Sequence, residues 1–373
     1  MGAFLSRVYT ICIVLAYPVW VLVGQTPQTL RLQTGKEIFE AGCVSCHGLD
    51  GKGQAPSLQA FTRPSTFPDF TDCAGSTPEA DVQWRAIITN GGTARALSPI
   101  MPSFKDILTP DQIDKVIGYL RSFCTEKQWP LGNLNLPRAI VTEKAFLEDE
   151  VVLTSNVNVQ GAPGVSSSVI WEKRIGSSGQ FEATVPYNFV HEQSWASGLG
   201  DIGLAYKQKV FYSPKTQSLL SVGGEITAPT GDPAKGTGGG STIFEVFAAF
   251  GQVLPGASFL QFQTGTEQPA HPDKVPRAYY ARTAVGKTFA RDHGLGRAWT
   301  PIMELIADRD FIKGAVTNWS VIPELQFPLS KRLHVLGGLG LSLPVNNISN
   351  RQKQLMFYLL WDFADGSLKE GWR

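Results

Sequence analysis

The chain has 373 residues, with 33 Lys+Arg against 32 Asp+Glu, 43% hydrophobic and only 17% charged residues, 38 Gly, 24 Pro and 5 Cys. That length fits two domains of ~100–200 residues each, and the charge balance excludes a polycation that coats nucleic acid. The hydrophobic content excludes a disordered chain, the low charge leaves much of the surface weakly charged, and five cysteines are too few for a dense disulfide scaffold.

Residues 1–25 carry one basic residue, Arg7, and then an apolar run from Ile11 to Val23 interrupted by Tyr17 and Pro18. This order predicts a secretory signal peptide cleaved between Val23 and Thr26. An uncleaved anchor is the competing reading, because no charge occurs from Val8 to Leu30 and ~20 apolar residues span a bilayer. Either way, the remainder is exported. Cys12 lies inside this segment and is given no role.

A helical pattern from Thr34 then ends in Cys43-Val-Ser-Cys46-His47. Two thiols at this spacing can add to the two vinyl groups on one edge of a haem, and the adjacent imidazole then falls under the iron. Half a zinc site would need two more N/S ligands at similar spacing, whereas the mature domain offers only the distant Cys73 and Cys124 and no second His before His191. A redox dithiol would need a strand–helix context that is missing here. The expected cofactor is one covalent haem c per chain. For the sixth iron position the domain contains one methionine, Met101, in the proline-bracketed loop Ser98-Pro-Ile-Met101-Pro-Ser-Phe104. A lone Met is more often a core filler, but beside the haem motif the expected axial pair is His47 and Met101, and thioether ligation favours the reduced iron.

With Gly35, Phe39, Cys43, Cys46, His47, the stretch Gly51-Lys-Gly-Gln-Ala-Pro56-Ser-Leu58, Met101 and a closing helix from Thr109, residues 33–126 resemble the class I cytochrome c family. The resemblance implies that the small residue at Gly35 lets the first helix cross the last near Tyr119. It also implies that the Pro56 carbonyl meets the second imidazole nitrogen of His47. The closing helix is legible on its own terms: Thr109 as N-cap, Pro110 and Asp111 in the first turn, and Ile113, Val116, Ile117, Leu120 and Phe123 as one apolar stripe. Cys73 and Cys124 lie outside the family pattern, and either a bridge or two separate buried thiols is compatible with an oxidising compartment. Trp84 and Arg85 are candidates to reach a haem propionate, against the simpler reading that they are packed or solvated.

Pro130, Gly132, Asn133 and Pro137 break the helical pattern and mark a boundary. Period-2 alternation follows at 151–159, 181–189, 202–212, 244–250, 333–343 and 355–363. Weaker segments near 168–175, 217–228, 256–265, 277–290, 297–308 and 317–327 bring the count to about a dozen strands. Many reach the length that crosses a bilayer at a tilt. A soluble sandwich or lipocalin-like barrel is the alternative, with strands usually shorter. Gly198-Leu-Gly-Asp-Ile-Gly-Leu-Ala-Tyr-Lys and Gly223-Gly-Glu-Ile-Thr-Ala-Pro-Thr-Gly-Asp make residues 198–252 similar to the family of outer-membrane transport barrels linked by name to phenol degradation. Lys235-Gly-Thr-Gly-Gly-Gly-Ser reverses the Walker order and reads as a hairpin turn. His191, His271, His293 and His334 show no metal-ligand spacing.

The expected fold class is therefore multidomain, an all-α cytochrome c-like domain followed by an antiparallel β-barrel of about 12 strands of outer-membrane type. The expected divisions are 1–25 signal peptide, 26–126 cytochrome c domain, 127–145 linker and 146–373 barrel. The function read from this is one-electron transfer with a periplasmic redox partner, beneath a barrel in outer-membrane lipid that anchors the haem domain or passes a small solute. The alternatives are a haem enzyme whose open sixth position meets peroxide or nitric oxide, and a transporter with a regulatory haem. No nucleic-acid partner is expected.

Overall fold

A capping box starts the first helix: Thr34 Oγ1 accepts the Glu37 amide at 3.2 Å, and Glu37 Oε2 accepts the Thr34 amide at 2.9 Å. The computed structural model describes residues 32–191 and 194–372, so the expected signal segment with Cys12 lies outside the described residues. Among the described residues five α-helices follow in order: α1 (Gly35–Gly42), α2 (Val44–His47), α3 (Cys73–Ser76), α4 (Asp81–Asn90) and α5 (Pro110–Arg121). A second capping box, Thr109 with Gln112, opens α5, which buries Ile113, Val116, Ile117 and Leu120. α1 crosses α5 so closely that a Cβ at Gly35 would stand 2.0 Å from the Lys115 carbonyl oxygen and 2.9 Å from Tyr119 Cβ. Only glycine permits that approach. Phe39 fills the crossing, its ring centroid 5.4 Å from those of Tyr119 and Phe123.

Cys73 and Cys124 are bridged, tying the start of α3 to the chain just beyond α5. The loop closed spans 51 positions, and by chain entropy the bridge contributes up to ~4 kcal/mol. A thiol reductant should lower the denaturation midpoint of this domain by opening this bridge. An unchanged midpoint in urea with and without reductant refutes that contribution.

The alternating segments form strands β1 (Asp149–Gln160), β2 (Gly164–Ile175), β3 (Gly179–His191), β4 (Trp195–Leu199), β5 (Ile202–Ser213), β6 (Ser218–Ala228), β7 (Ile243–Leu254), β8 (Ser258–Pro269), β9 (Ala278–Lys287), β10 (Thr300–Asp310), β11 (Asn318–Pro328), β12 (Val335–Pro344) and β13 (Lys353–Asp362). All neighbours pair antiparallel in chain order, and β13 pairs with β1 from Asp362↔Glu150 to Lys353↔Gln160, which closes the sheet. β4 pairs with the second half of β3 and β5 with its first half. They make one strand broken at Gly200 and Asp201, so the barrel has twelve strand positions. The polarity is inverted relative to a soluble core. Leu204 (62% exposed), Val246 (59%) and Met303 (51%) point outward, while Glu150, Gln261 and Glu304 are fully buried inside. Among the described residues no helix is long and apolar enough to cross a membrane.

Residues 134–148 run inside this barrel. Leu136 and Ala139 pack with Phe259, Ala284 and Ile302; Phe146 and Ala145 with Leu219 and Ala249; Ile140 reaches Val152, Leu336 and Tyr358. An irregular backbone in such a place needs partners for its amides, and the wall provides them. Gln326 accepts the Arg138 amide (2.9 Å), Glu324 that of Ile140 (3.0 Å), Glu304 those of Val141 (3.0 Å) and Thr142 (2.7 Å), Gln263 that of Glu143 (3.0 Å), and Gln180 that of Glu148 (2.7 Å). A Cβ at Gly340 would lie 2.6 Å from Ile140, so the wall is hollowed to admit the segment. Its charges are matched as well: Arg138 bridges Glu150 (2.6 Å) and Glu172 (2.7 Å), Lys207 holds Glu143 (2.5 Å), and Lys144 pairs with Glu148. Glu143, Glu172 and Glu182 come close enough together to share an ion, but Arg138 and Lys207 already engage two of them. The segment enters and leaves by the rim at which β1 begins and β13 ends, the rim that also meets the helical domain.

Candidate haem site

α1 delivers the chain directly into the thiol turn. The Cys43 carbonyl accepts the amides of Cys46 (3.1 Å) and His47 (2.9 Å), which winds the three side chains around one turn. Gly48, at φ 70°, then reverses the chain. The returning chain closes on the turn through Gly53 N to His47 O (2.8 Å) and Gln54 N to Cys46 O (2.9 Å), with Gln59 Nε2 adding a bond to the same Cys46 carbonyl (3.1 Å). The His47 ring lies among aromatic neighbours, 5.0 Å from Phe67 and 5.1 Å from Phe70.

Burial pushes the His47 imidazole down to about 4, so the ring is neutral through physiological pH, the protonation state that coordinates a metal. Burial, with a smaller contribution from Cys46, pushes the Cys43 thiol up to about 11. Cys43 and Cys46 are unbridged, in contrast to Cys73 and Cys124. His47 Nδ1 is buried and has no hydrogen-bond partner. Two free thiols beside a neutral, half-buried imidazole with an uncommitted nitrogen form the donor set that a covalently attached haem requires.

Met101 sits on a loop hung from α4. Its carbonyl accepts the Gly92 amide at 3.0 Å, the Phe104 and Lys105 amides bond to the carbonyls of Ile88 and Thr89 (each 3.0 Å), and Ser103 Oγ donates to Thr89 O at 2.7 Å. A Cβ on Gly92 would be 2.2 Å from the Ser98 carbonyl oxygen, so the loop folds tightly on itself. Phe104 lies against Gly42, the residue before Cys43, which brings the Met101 loop alongside the thiol turn.

The other candidate residues are engaged within the protein. The Pro56 carbonyl accepts the Gln59 amide (3.3 Å) within the turn Pro56–Leu58, and His47 Nδ1 has no hydrogen-bond partner. Arg85 is engaged by Asp114 (Nε to Oδ1 2.8 Å) and by the carbonyl of His293 (3.2 Å). Trp84 is packed, 5.6 Å from the Phe70 centroid with Arg121 stacked 3.9 Å from its own. The glycine-rich stretch after Lys235 belongs to the β6–β7 connection, where the Asp201 carboxylate accepts the amides of Gly231 and Gly239. Sequence reasoning missed the pair Arg95–Asp292 and the bond from Arg332 to the Ala96 carbonyl, both on the segment leading to Met101; no short-range signal links residues so far apart.

Residues 32–123 match the cytochrome c family. This part of the chain is a cytochrome c domain. Among solved structures the chain is similar to the COG4313 outer membrane channel from Pseudomonas putida F1, with 13% identity and a TM-score of 0.43 over 60% of this chain and 99% of that one. It is also similar to the KdgM porin (8% identity, TM-score 0.39, 57% and 99%) and to the NanC porin (7%, 0.41, 57% and 98%). The chain joins this domain to the closed barrel, and haem-based electron transfer is the chemistry that the family implies for the first part.

Proposed function

We propose that this chain is an outer-membrane c-type cytochrome of a Gram-negative bacterium, exported by its N-terminal signal and carrying single electrons to or from a periplasmic redox partner. The observation that carries this reading is the Cys43–Cys46–His47 turn, with its two thiols left free while the other two cysteines of the domain are bonded. Cys43 and Cys46 would hold one haem c through thioethers, and His47 and Met101 would be its axial ligands. When bound, the haem supplies an iron that gains and loses one electron with both ligands retained. The chain's own residues orient the imidazole, keep it neutral and surround it with rings that exclude water.

The membrane reading rests on the outward apolar face and on its aromatic borders. Trp171, Phe181, Phe211, Phe289 and Trp299 are exposed near one rim, and Phe189, Trp195, Phe244, Tyr279 and Trp319 near the other, as in a girdled barrel. The cytochrome rim carries the short turns 176–178, 214–217 and 255–257, the feature of periplasmic ends. The packed segment 134–148 favours a barrel that anchors the cytochrome over one that passes a solute.

Met101→Ala tests the electron-carrier reading. The ferrous variant should bind carbon monoxide rapidly and its ferric form should lose the thioether absorption band, whereas the unaltered protein resists the ligand. Rapid carbon monoxide binding by the unaltered protein would instead favour a ligand-converting haem enzyme.

A further inference from the structure

At the cytochrome rim one connection departs from the short-turn pattern, residues 288–299 between β9 and β10. This long loop lies on α4 and on the turn Gly92–Arg95 that leads to Met101. Asp292 Oδ2 meets Arg95 Nη2 at 3.4 Å with both side chains largely buried, and Asp292 Oδ1 accepts from Asn90 Nδ2 at 3.5 Å. Arg95 Nε is fixed in turn by Gln83 Oε1 at 2.7 Å. Gly296, at φ 154°, sits where a Cβ would be 2.6 Å from Val82, so the loop is fitted to α4 without space for a side chain.

A second barrel loop reaches the same segment. Arg332, between β11 and β12, donates from Nη2 to the Ala96 carbonyl at 3.1 Å and is steadied by Glu370 at 3.0 Å. Ala96 has φ 52°, a left-handed conformation that a non-glycine residue adopts only when its surroundings hold it there. The residues on either side of it make the bonds that shape the methionine loop, Gly92 N to Met101 O (3.0 Å) and Leu97 N to Gly92 O (2.9 Å). The barrel therefore grips the cytochrome domain by the segment whose carbonyls and amides position Met101.

We propose that Asp292 and Arg332 are positioning residues for the sixth iron ligand: the barrel clamps residues 90–97 and thereby holds the Met101 loop in its ligating shape. This rests on the reading of Met101 as an axial ligand. Its consequence is that displacement of either barrel loop, by a docked partner or by mutation, loosens Met101 without touching the haem or its covalent attachment.

The test uses the full chain in detergent with Asp292→Ala and Arg332→Ala combined, and two readouts. Loss of two charge-assisted hydrogen bonds should accelerate hydrogen exchange at the Gly92 and Leu97 amides roughly tenfold or more, weaken the thioether band and speed carbon monoxide binding. Asp292→Glu with Arg332→Lys should restore much of the protection. A folded double variant with unchanged exchange and an unchanged band overturns the proposal. Should that variant fail to fold, the charge-swapped pair Arg95→Asp with Asp292→Arg replaces it, and a swap that does no better than Asp292→Arg alone also overturns it. If instead Met101→Ala leaves the spectrum of the otherwise unaltered chain intact, the axial assignment fails, while the exchange readout still decides whether the barrel clamps the loop.

Discussion

Replacing Cys43 and Cys46 together by alanine should remove all covalently held haem: the intact mass of the mature chain falls by one haem, and haem staining disappears from a denaturing gel. The turn that presents the thiols is set by backbone bonds to the Cys43 carbonyl, which survive the substitution, so the change deletes the attachment points and little else. No substitute exists nearby, because Cys73 and Cys124 are already joined. Each single variant keeps one attachment point and should retain some haem with altered absorption. The polypeptide itself should also become less stable, since His47, Phe67 and Phe70 then line a site with no occupant to bury them. Persistence of denaturant-resistant haem in the double variant would end the c-type assignment.

The second large effect concerns the lumen. Arg138→Ala should destabilise the folded barrel by about 3–5 kcal/mol, because it strands two buried carboxylates without their shared cation. Glu150 is 0% exposed and Glu172 1%, which leaves water little access to compensate. Replacing residues 138–145 by a short Gly/Ser loop acts differently, since backbone, hydrophobic and charged groups leave together. That variant should conduct ions in planar bilayers where the unaltered chain does not. The uncovered wall carries Glu172, Glu182, Glu304 and Glu324 against Lys207 and Arg282, so the current should be cation-selective. Equal conductance by both proteins would show that the segment does not close the barrel.

The twelve strand positions and the thiol turn were legible because their signals are local: an alternation of period two, and a spacing of three. α5 announced itself in the same way through its cap and stripe. The inserted segment was not, since its order comes from side chains such as Glu304 and Gln263, which lie more than a hundred positions away. Residues 127–145 showed only breakers, and read as a connection. A hint was present in the runs Ala139-Ile-Val and Ala145-Phe-Leu, more apolar than a solvent-exposed connection should be. The break that separates β4 from β5 escaped notice because Gly198, Gly200 and Asp201 were read as part of a family stretch. One of the two partners of Arg85, the His293 carbonyl, lies on a loop whose position no spacing rule could supply.

The filled barrel has a consequence for how the molecule is built. Its wall carries carboxylates and amides whose counterparts belong to a stretch translated before the first strand, and its seam closes only when β13, the last strand, joins β1. Biogenesis therefore cannot treat the cytochrome as a passenger appended to a finished pore. The seam has to shut with the filling already seated, so the stretch before β1 must be in place when the last strand docks.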